Sequence, residues 1–394
     1  MKFIRNILDN IKPHVQEGGK YEKFYSMFDA AETLFFVPDH VTTKGSHIRD
    51  AIDLKRNMFM VVIALAPALL FGMWNVGYQH FMATGQEGSL MDLFFFGFLK
   101  VLPIIIVSYV VGLGVEILFA QMKRHEVNEG YFVTGMLIPL IVPVDTPLWM
   151  VAVAVIFAVV IGKEVFGGTG MNIFNPALIA RAFLFFAYPS SMSGDKIWIN
   201  GMSEGTGIID GFSGATPLAQ FTAGATPNEL VLGFADKHMS VFDMFMGWIP
   251  GSIGETSTLA ILIGAVILLF TGVANWKVMV SVFAGGFLMG SIFNLVGAGH
   301  PYMEIPAHYH LVMGGFAFGA VFMATDPVTA SQTETGKIIY GLLIGVLAVL
   351  IRVVNPAYPE GMMLAILFLN TFAPLIDYYV VGANIKKRLK RAKS

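Results

Sequence analysis

Leu259-Ala260-Ile261-Leu262-Ile263-Gly264-Ala265-Val266-Ile267-Leu268-Leu269-Phe270 sits in a run from 257 to 274 with no charged residue. A helix that crosses a bilayer needs about 20 mainly apolar residues, fewer where it is re-entrant or shielded by protein. The same reading, carried outward, finds segments at roughly 57–79, 96–120, 131–144, 148–163, 174–189, 257–274, 277–296, 311–325, 337–353 and 361–381. The expectation is an all-α polytopic membrane protein of about ten transmembrane helices. Composition agrees: 55% of residues are hydrophobic and 13% charged, against about 25% charged in a typical soluble domain. The 42 Gly, 34 Phe and 23 Met suit close helix packing within an apolar bundle. The absence of cysteine excludes disulfides, Cys-ligated iron–sulfur clusters and Cys zinc sites from this chain.

Five regions follow: an N-terminal arm (1–56), helices one to five (57–189), a long connection (190–254), helices six to ten (255–382) and a basic tail (383–394). The arm is mixed and polar, without a signal-peptide core, and is expected to be retained. It carries nine Lys/Arg and the tail six. The loop at Lys123-Arg124-His125-Glu126 and Lys163, Lys277 and Lys337 fall on the same side, and Lys100, Lys196 and Lys237 on the other. The positive-inside rule then puts both termini in the cytoplasm and the 190–254 connection outside. The third and eighth segments are short and carry Gly or Pro, as broken helices do. Asn175-Pro176-Ala177 and Asn355-Pro356-Ala357 fall at opposite ends of the bundle, so the halves are candidate inverted five-helix repeats.

Four features have side chains suited to chemistry. Asp210-Gly211-Phe212-Ser213-Gly214-Ala215-Thr216-Pro217 lies in the long connection. It reads as a Gly/Pro turn with Ser and Thr capping the next short helix. A second string, Ala223-Gly224-Ala225-Thr226-Pro227, follows, and spacing does not choose between them. Gly167-Gly168-Thr169-Gly170-Met171-Asn172-Ile173-Phe174-Asn175-Pro176 is either a turn with Asn175 as helix cap or a close backbone approach to a ligand. Glu116, Asp326 and Asp377 are carboxylates within or at the ends of apolar segments, where charge is costly and marks ion pairs or cation paths. Glu116 is expected to pair with Arg181 or Arg352, and Asp326-Pro327 also reads as an ordinary helix end. His300-Pro301-Tyr302-Met303-Glu304 to His308-Tyr309-His310 reads as an interfacial aromatic loop, and no metal site is expected. The basic tail reads as an anchor beside acidic membrane lipid, with nothing to support nucleic-acid binding.

With these motifs, the chain resembles the B subunits of the sodium-translocating NADH:quinone oxidoreductases, in the Nqr/Rnf flavoprotein family. The likeness runs through Glu17-Gly18-Gly19-Lys20, Ser46-His47-Ile48-Arg49-Asp50, Arg124 to Gly130, Ile249 to Glu255 and Arg352 to Gly361. The resemblance implies FMN joined through its phosphate to Thr216 by a flavin transferase. That motif asks for Asp six residues before the acceptor and Ser or Thr three before it, as Asp210 and Ser213 supply, with Gly214 and Ala215 between; Thr226 has Gln220 and Ala223 there. It further implies riboflavin held by Asn172 and Asn175, a sodium path through Glu116, Asp326 and Asp377, and a quinone region at Gly112-Leu113. In many members that pair is Gly-Gly; Asp29 likewise stands where some have Glu. The implied activity passes electrons from NADH through the A, C, D, E and F partner subunits and the flavins to ubiquinone, exporting Na+ across the bacterial inner membrane. The rivals are an Rnf-type electron-transport subunit and a cofactor-free transporter.

Overall fold

The structure is a computed structural model that describes every residue except 1, 17–18, 20, 22–23, 26–27, 29–31, 34–35, 37–41, 49–53, 124–129, 206, 298–300, 356–357, 359 and 394. The motif residues Glu17, Gly18, Lys20, Asp29, Arg49, Asp50, Arg124 to Glu129, His300, Pro356, Ala357 and Pro359 therefore lie outside the described residues.

The helices, in order, are α1 (Lys2–Val15), α2 (Leu54–Thr84), α3 (Leu90–Lys123), α4 (Tyr131–Leu140), α5 (Leu148–Gly162), α6 (Pro176–Ala187), α7 (Pro217–Thr222), α8 (Val241–Met246), α9 (Thr258–Thr271), α10 (Trp276–Val296), α11 (Tyr309–Val312), α12 (Phe316–Phe318), α13 (Glu334–Val354) and α14 (Met362–Lys393). Among the described residues, six helical stretches are long and apolar enough to cross a membrane: those of α2, α3, α5, α10, α13 and α14. Three shorter apolar helices, α4, α6 and α9, complete the set with a broken segment at α11–α12. Large apolar side chains stand fully open on these helices, Phe270 at 93% and Leu295 at 87% exposure. Each would cost roughly 1.5–3 kcal/mol if left in water. The surface is that of a multi-pass membrane protein whose outer face meets lipid.

The sequence signals explain where helices start. Asn175, Ser257, Asn275 and Thr333 each cap a helix by accepting hydrogen bonds from backbone N–H groups of its first turn. Pro176 and Pro217 occupy the first turn, where the missing N–H is harmless. Close approach explains glycine: a Cβ on Gly345 of α13 would fall 3.0 Å from the Gly285 carbonyl carbon of α10, so only small residues let these backbones meet.

Both halves share a packing order. The second segment packs on the fourth and the fourth on the fifth (α3 on α5 and α5 on α6; α10 on α13 and α13 on α14). The third is interrupted in both. The 10-residue α4 spans about 15 Å, half a bilayer core. In the second half the chain breaks at Gly314 (φ +58°) and resumes as α12 and a π-helical turn, Gly319–Met323. The likeness is partial, since α2 packs closely on α3 while α9 and α10 have no comparable contact among the described residues. The connection between α6 and α9 is not bare loop: it carries α7, α8 and a small antiparallel hairpin, β1 (Val231–Leu232) with β2 (Phe234–His238). The last helix runs on unbroken through the basic stretch to Lys393.

Candidate functional site

Two cavities with mixed polar and apolar walls sit along α6. The first, of about 240 Å³, is lined by Thr216 and by Arg181, Trp198, Thr256, Tyr358 and Glu360 among others. The second, of about 100 Å³, is lined by Lys163, Thr169, Asn172, Asn175 and Asp326 with apolar residues of α4 and α9. Asn175 caps α6 and Arg181 lies six residues along it, a rise of about 9 Å.

At the first cavity Ser213 N donates to Gly233 O (2.7 Å), which ties the motif to the β-hairpin. Gly214 is buried, and a Cβ there would meet Met202 Sδ at 2.7 Å. Asp210 is exposed. Thr216 is half-buried rather than exposed, because it is the N-cap of α7: its Oγ1 accepts from Ala219 N at 3.2 Å. Gln220 pins the turn, donating to Ala215 O (3.0 Å) and Val231 O (2.8 Å). The cap reading of Thr216 thus holds, and its hydroxyl still borders a cavity. Thr226 is different. Its N–H donates to Glu229 Oε2 (2.8 Å) in an exposed turn that lines neither cavity, and this hydrogen bond holds the Glu229 carboxyl below its ordinary range.

The first cavity also has charges that spacing did not link to it. Arg181 Nη1 donates to Glu255 Oε1 (2.6 Å) and Nη2 to Glu360 Oε2. Arg352 is buried and donates to the His310 (2.7 Å) and Met313 (3.2 Å) carbonyls, which holds the break at Gly314 in shape. The expectation that Glu116 pairs with Arg181 or Arg352 is corrected: its partner is Lys163, at the C-terminus of α5. Arg181 instead lines the first cavity and Arg352 braces the break beside it, while Lys163 is the cation that α5 delivers beside α3.

The second cavity joins Asn172, Asn175 and Asp326, residues that are far apart in sequence. Asn175 Oδ1 caps α6, accepting from Ala177 N (3.0 Å) and Leu178 N (3.3 Å), while its Nδ2 donates to Asp326 Oδ2 (3.3 Å). Asp326 also accepts from Val328 N (3.0 Å) and Thr329 Oγ1 (3.1 Å), so the helix-end reading is true as well. Asn172 Nδ2 donates to Phe174 O (3.0 Å). Thr169 Oγ1 is buried without a partner among the described residues, a group that a polar ligand would satisfy. Asp377 is not in this cavity, but it shares another, of about 520 Å³, with Asn172 and Thr329. It reaches across to the turn before α13, accepting from Ser331 Oγ (2.6 Å), Gln332 N (2.7 Å), Thr333 N (2.9 Å) and Thr333 Oγ1 (2.6 Å). Gly112 packs against the ring of Tyr131, whose hydroxyl donates to Ser108 O (2.8 Å), and Leu113 packs at the edge of the core. Both lie on α3 near Glu116 and away from the lining of either cavity.

Interrupted helices, buried ion pairs and two cavities strung along one short helix define a polytopic membrane protein built on broken helices. Comparison with known proteins narrows the class. Residues 41–386 match the family described as NQR2, RnfD, RnfE, and the chain belongs to that family. It is 50% identical to the B subunit of the Na(+)-translocating NADH-quinone reductase of Chromohalobacter salexigens, over 98% of this chain and 96% of the relative. It is also 50% identical to the protein of that name from Stutzerimonas stutzeri and 48% identical to that from Pseudomonas aeruginosa (strain LESB58), in each case over 98% of this chain and 99% of the relative.

Proposed function

We propose that this chain is the B subunit of a sodium-translocating NADH:quinone oxidoreductase in a bacterial inner membrane, with FMN esterified to Thr216, riboflavin beside Asn172 and Asn175, and electron flow through them to ubiquinone coupled to Na+ export. The flavins supply one- and two-electron transfer when bound. The observation that carries the reading is that the one Thr with both Asp and Ser at the required spacing also borders the first cavity along α6, and Thr226 does not.

The chain's own residues do the rest. Ser213, Gly214 and Gln220 fix the turn so that Thr216 Oγ1 is presented on a rigid cap. At the other cavity, the amides of Asn172 and Asn175 offer donors and acceptors suited to a neutral ring edge. Asp326, bonded to Asn175, couples that site to the proposed cation path; Glu116, the other buried carboxylate proposed for it, is held by Lys163 on the same cavity wall. Cavity polarity matches the charge bias. Lys163 lines the second cavity, and the Lys277–Glu334–Lys337 cluster (2.6 and 2.8 Å) lies at the N-terminal ends of α10 and α13. That end is assigned to the cytoplasm, with the Thr216 cavity outside. The 1–56 arm and 383–394 tail then face the cytoplasm, where the tail meets acidic lipid, and 190–254 faces outward. The A, C, D, E and F subunits and a flavin transferase complete the machine.

The test is the assembled complex with and without Thr216→Ala. The wild-type subunit should fluoresce as a denatured gel band, and the complex should reduce ubiquinone in a Na+-stimulated way; the variant should lose both. Turnover that needs ferredoxin or NAD in place of quinone would reassign the chain to the Rnf-type branch. A non-fluorescent wild-type band, after expression with the transferase, would favour a transporter without cofactor.

A further inference from the structure

The Thr216 cavity contains two hydroxyls that neither capping nor ion pairing accounts for. Thr256 and Tyr358 line it, are buried at 3% and 4% residue exposure, and their hydroxyls have no hydrogen-bond partner among the described residues. A buried hydroxyl left unmade is expensive, so native interiors rarely keep one without a ligand or water to meet it. The surroundings hold both groups in place. Phe185 packs edge-on against the Tyr358 ring at 4.5 Å between centroids, and a Cβ on Gly251 would sit 3.1 Å from Thr256 Cγ2. Arg181, on the same wall, is clamped by Glu255 and Glu360, which neutralise its charge. Beside Ser193 and Asp195, the cavity offers this pair of neutral donors, and Trp198 lines it too. That combination suits a planar heteroaromatic ring with carbonyl and imine acceptors along one edge.

We infer that Thr256 and Tyr358 are positioning residues that seat the ring of the flavin carried by Thr216, each donating one hydrogen bond to its polar edge, with the Arg181–Glu255–Glu360 cluster as the rigid floor. The inference rests on the reading of Thr216 as the attachment site and adds the residues that turn a tethered group into a docked one. A ring joined only through its phosphate is free to swing; two fixed donors give it a resting position inside the cavity.

The test uses the full-length chain from a flavin-loading host, as wild type, Thr256→Val, Tyr358→Phe and the rescue variant Thr256→Ser. Two quantities are read: mass of the 190–254 peptide, which reports attachment, and iodide quenching of the attached flavin's fluorescence after subtraction of the Thr216→Ala signal, which reports docking. The expected result is unchanged attachment, with the ratio of quencher-accessible to shielded flavin rising about fivefold for each lost hydrogen bond. Thr256→Ser should stay at the wild-type ratio. Wild-type quenching in both Val and Phe variants with flavin still attached would overturn the docking role and leave the attachment reading intact. A change in one variant alone would overturn the role of the other residue. An unmodified wild-type peptide would overturn both the inference and the reading beneath it.

Discussion

Replacing Lys163 with Met tests the buried charge arrangement most severely. Lys163 and Glu116 are each 4% exposed, and Lys163 Nζ makes the only hydrogen bond to the Glu116 carboxylate among the described residues, where Oε2 has none. Lys163→Met therefore strands a carboxylate between α3 and α5. Breaking a buried pair by deleting one partner typically costs about 3–5 kcal/mol, and insertion scales put a lone Asp or Lys at a helix centre at about 2.5–3.5 kcal/mol. A loss of about 3 kcal/mol is expected, measured as denaturant unfolding of the detergent-solubilised chain followed by Trp fluorescence. Adding Glu116→Leu should recover most of it, because replacing both members of a buried pair by apolar residues is often neutral. If Glu116 lies on the cation path, the single variant leaves that carboxylate without its ammonium partner. Na+, but not choline, should then restore part of the lost stability by mass action. A Lys163→Met chain within about 1 kcal/mol of wild type, or a double variant that loses the sum of the two singles, would refute the reasoning.

Other perturbations have equally definite outcomes. Asn175→Ala removes the α6 cap and the contact to Asp326, so stability should fall by about 1–2 kcal/mol and riboflavin should be lost from extracts of the purified complex; full riboflavin retention would exclude Asn175 as a contact. Asp377→Asn weakens four hydrogen bonds at the turn before α13, so stability should fall by about 1.5–3 kcal/mol. If Asp377 also meets the ion, the Na+ concentration for half-maximal turnover should rise; an unchanged Na+ dependence would make it a cap only. Gly112→Ala drives a methyl into the Tyr131 ring and should cost about 1–3 kcal/mol, whereas Leu113→Gly should leave the fold intact and alter quinone-site inhibition. An unaltered inhibitor profile in the Leu113 variant would remove that pair from the quinone region.

The apolar runs made the helices legible, since a segment such as 257–274 has no other stable place to go. The caps were legible too: Asn175-Pro176 and Thr216-Pro217 are local signals, read within three or four residues. The partners of the buried charges were not. Arg181 meets Glu255 and Glu360 across 74 and 179 positions, and only the packing of α6 against the second half brings them together. The sequence expectation put Glu116 with an arginine because arginines were the cations found inside apolar segments. Lys163 looked like a loop residue because it closes α5, yet the short α5 ends inside the bundle. Thr256 gave no signal, and Tyr358 stood only as one residue of the Arg352-to-Gly361 likeness; single hydroxyls become informative only when burial leaves them unpartnered.

The central claim is chemical and can be weighed. The peptide spanning 190–254, released from the chain produced in its native host, should be heavier than its amino acids by one FMN less one water. The same peptide from Thr216→Ala should have its bare mass. A bare mass for the wild-type peptide, or an adduct that persists in the Thr216→Ala protein, would contradict the account.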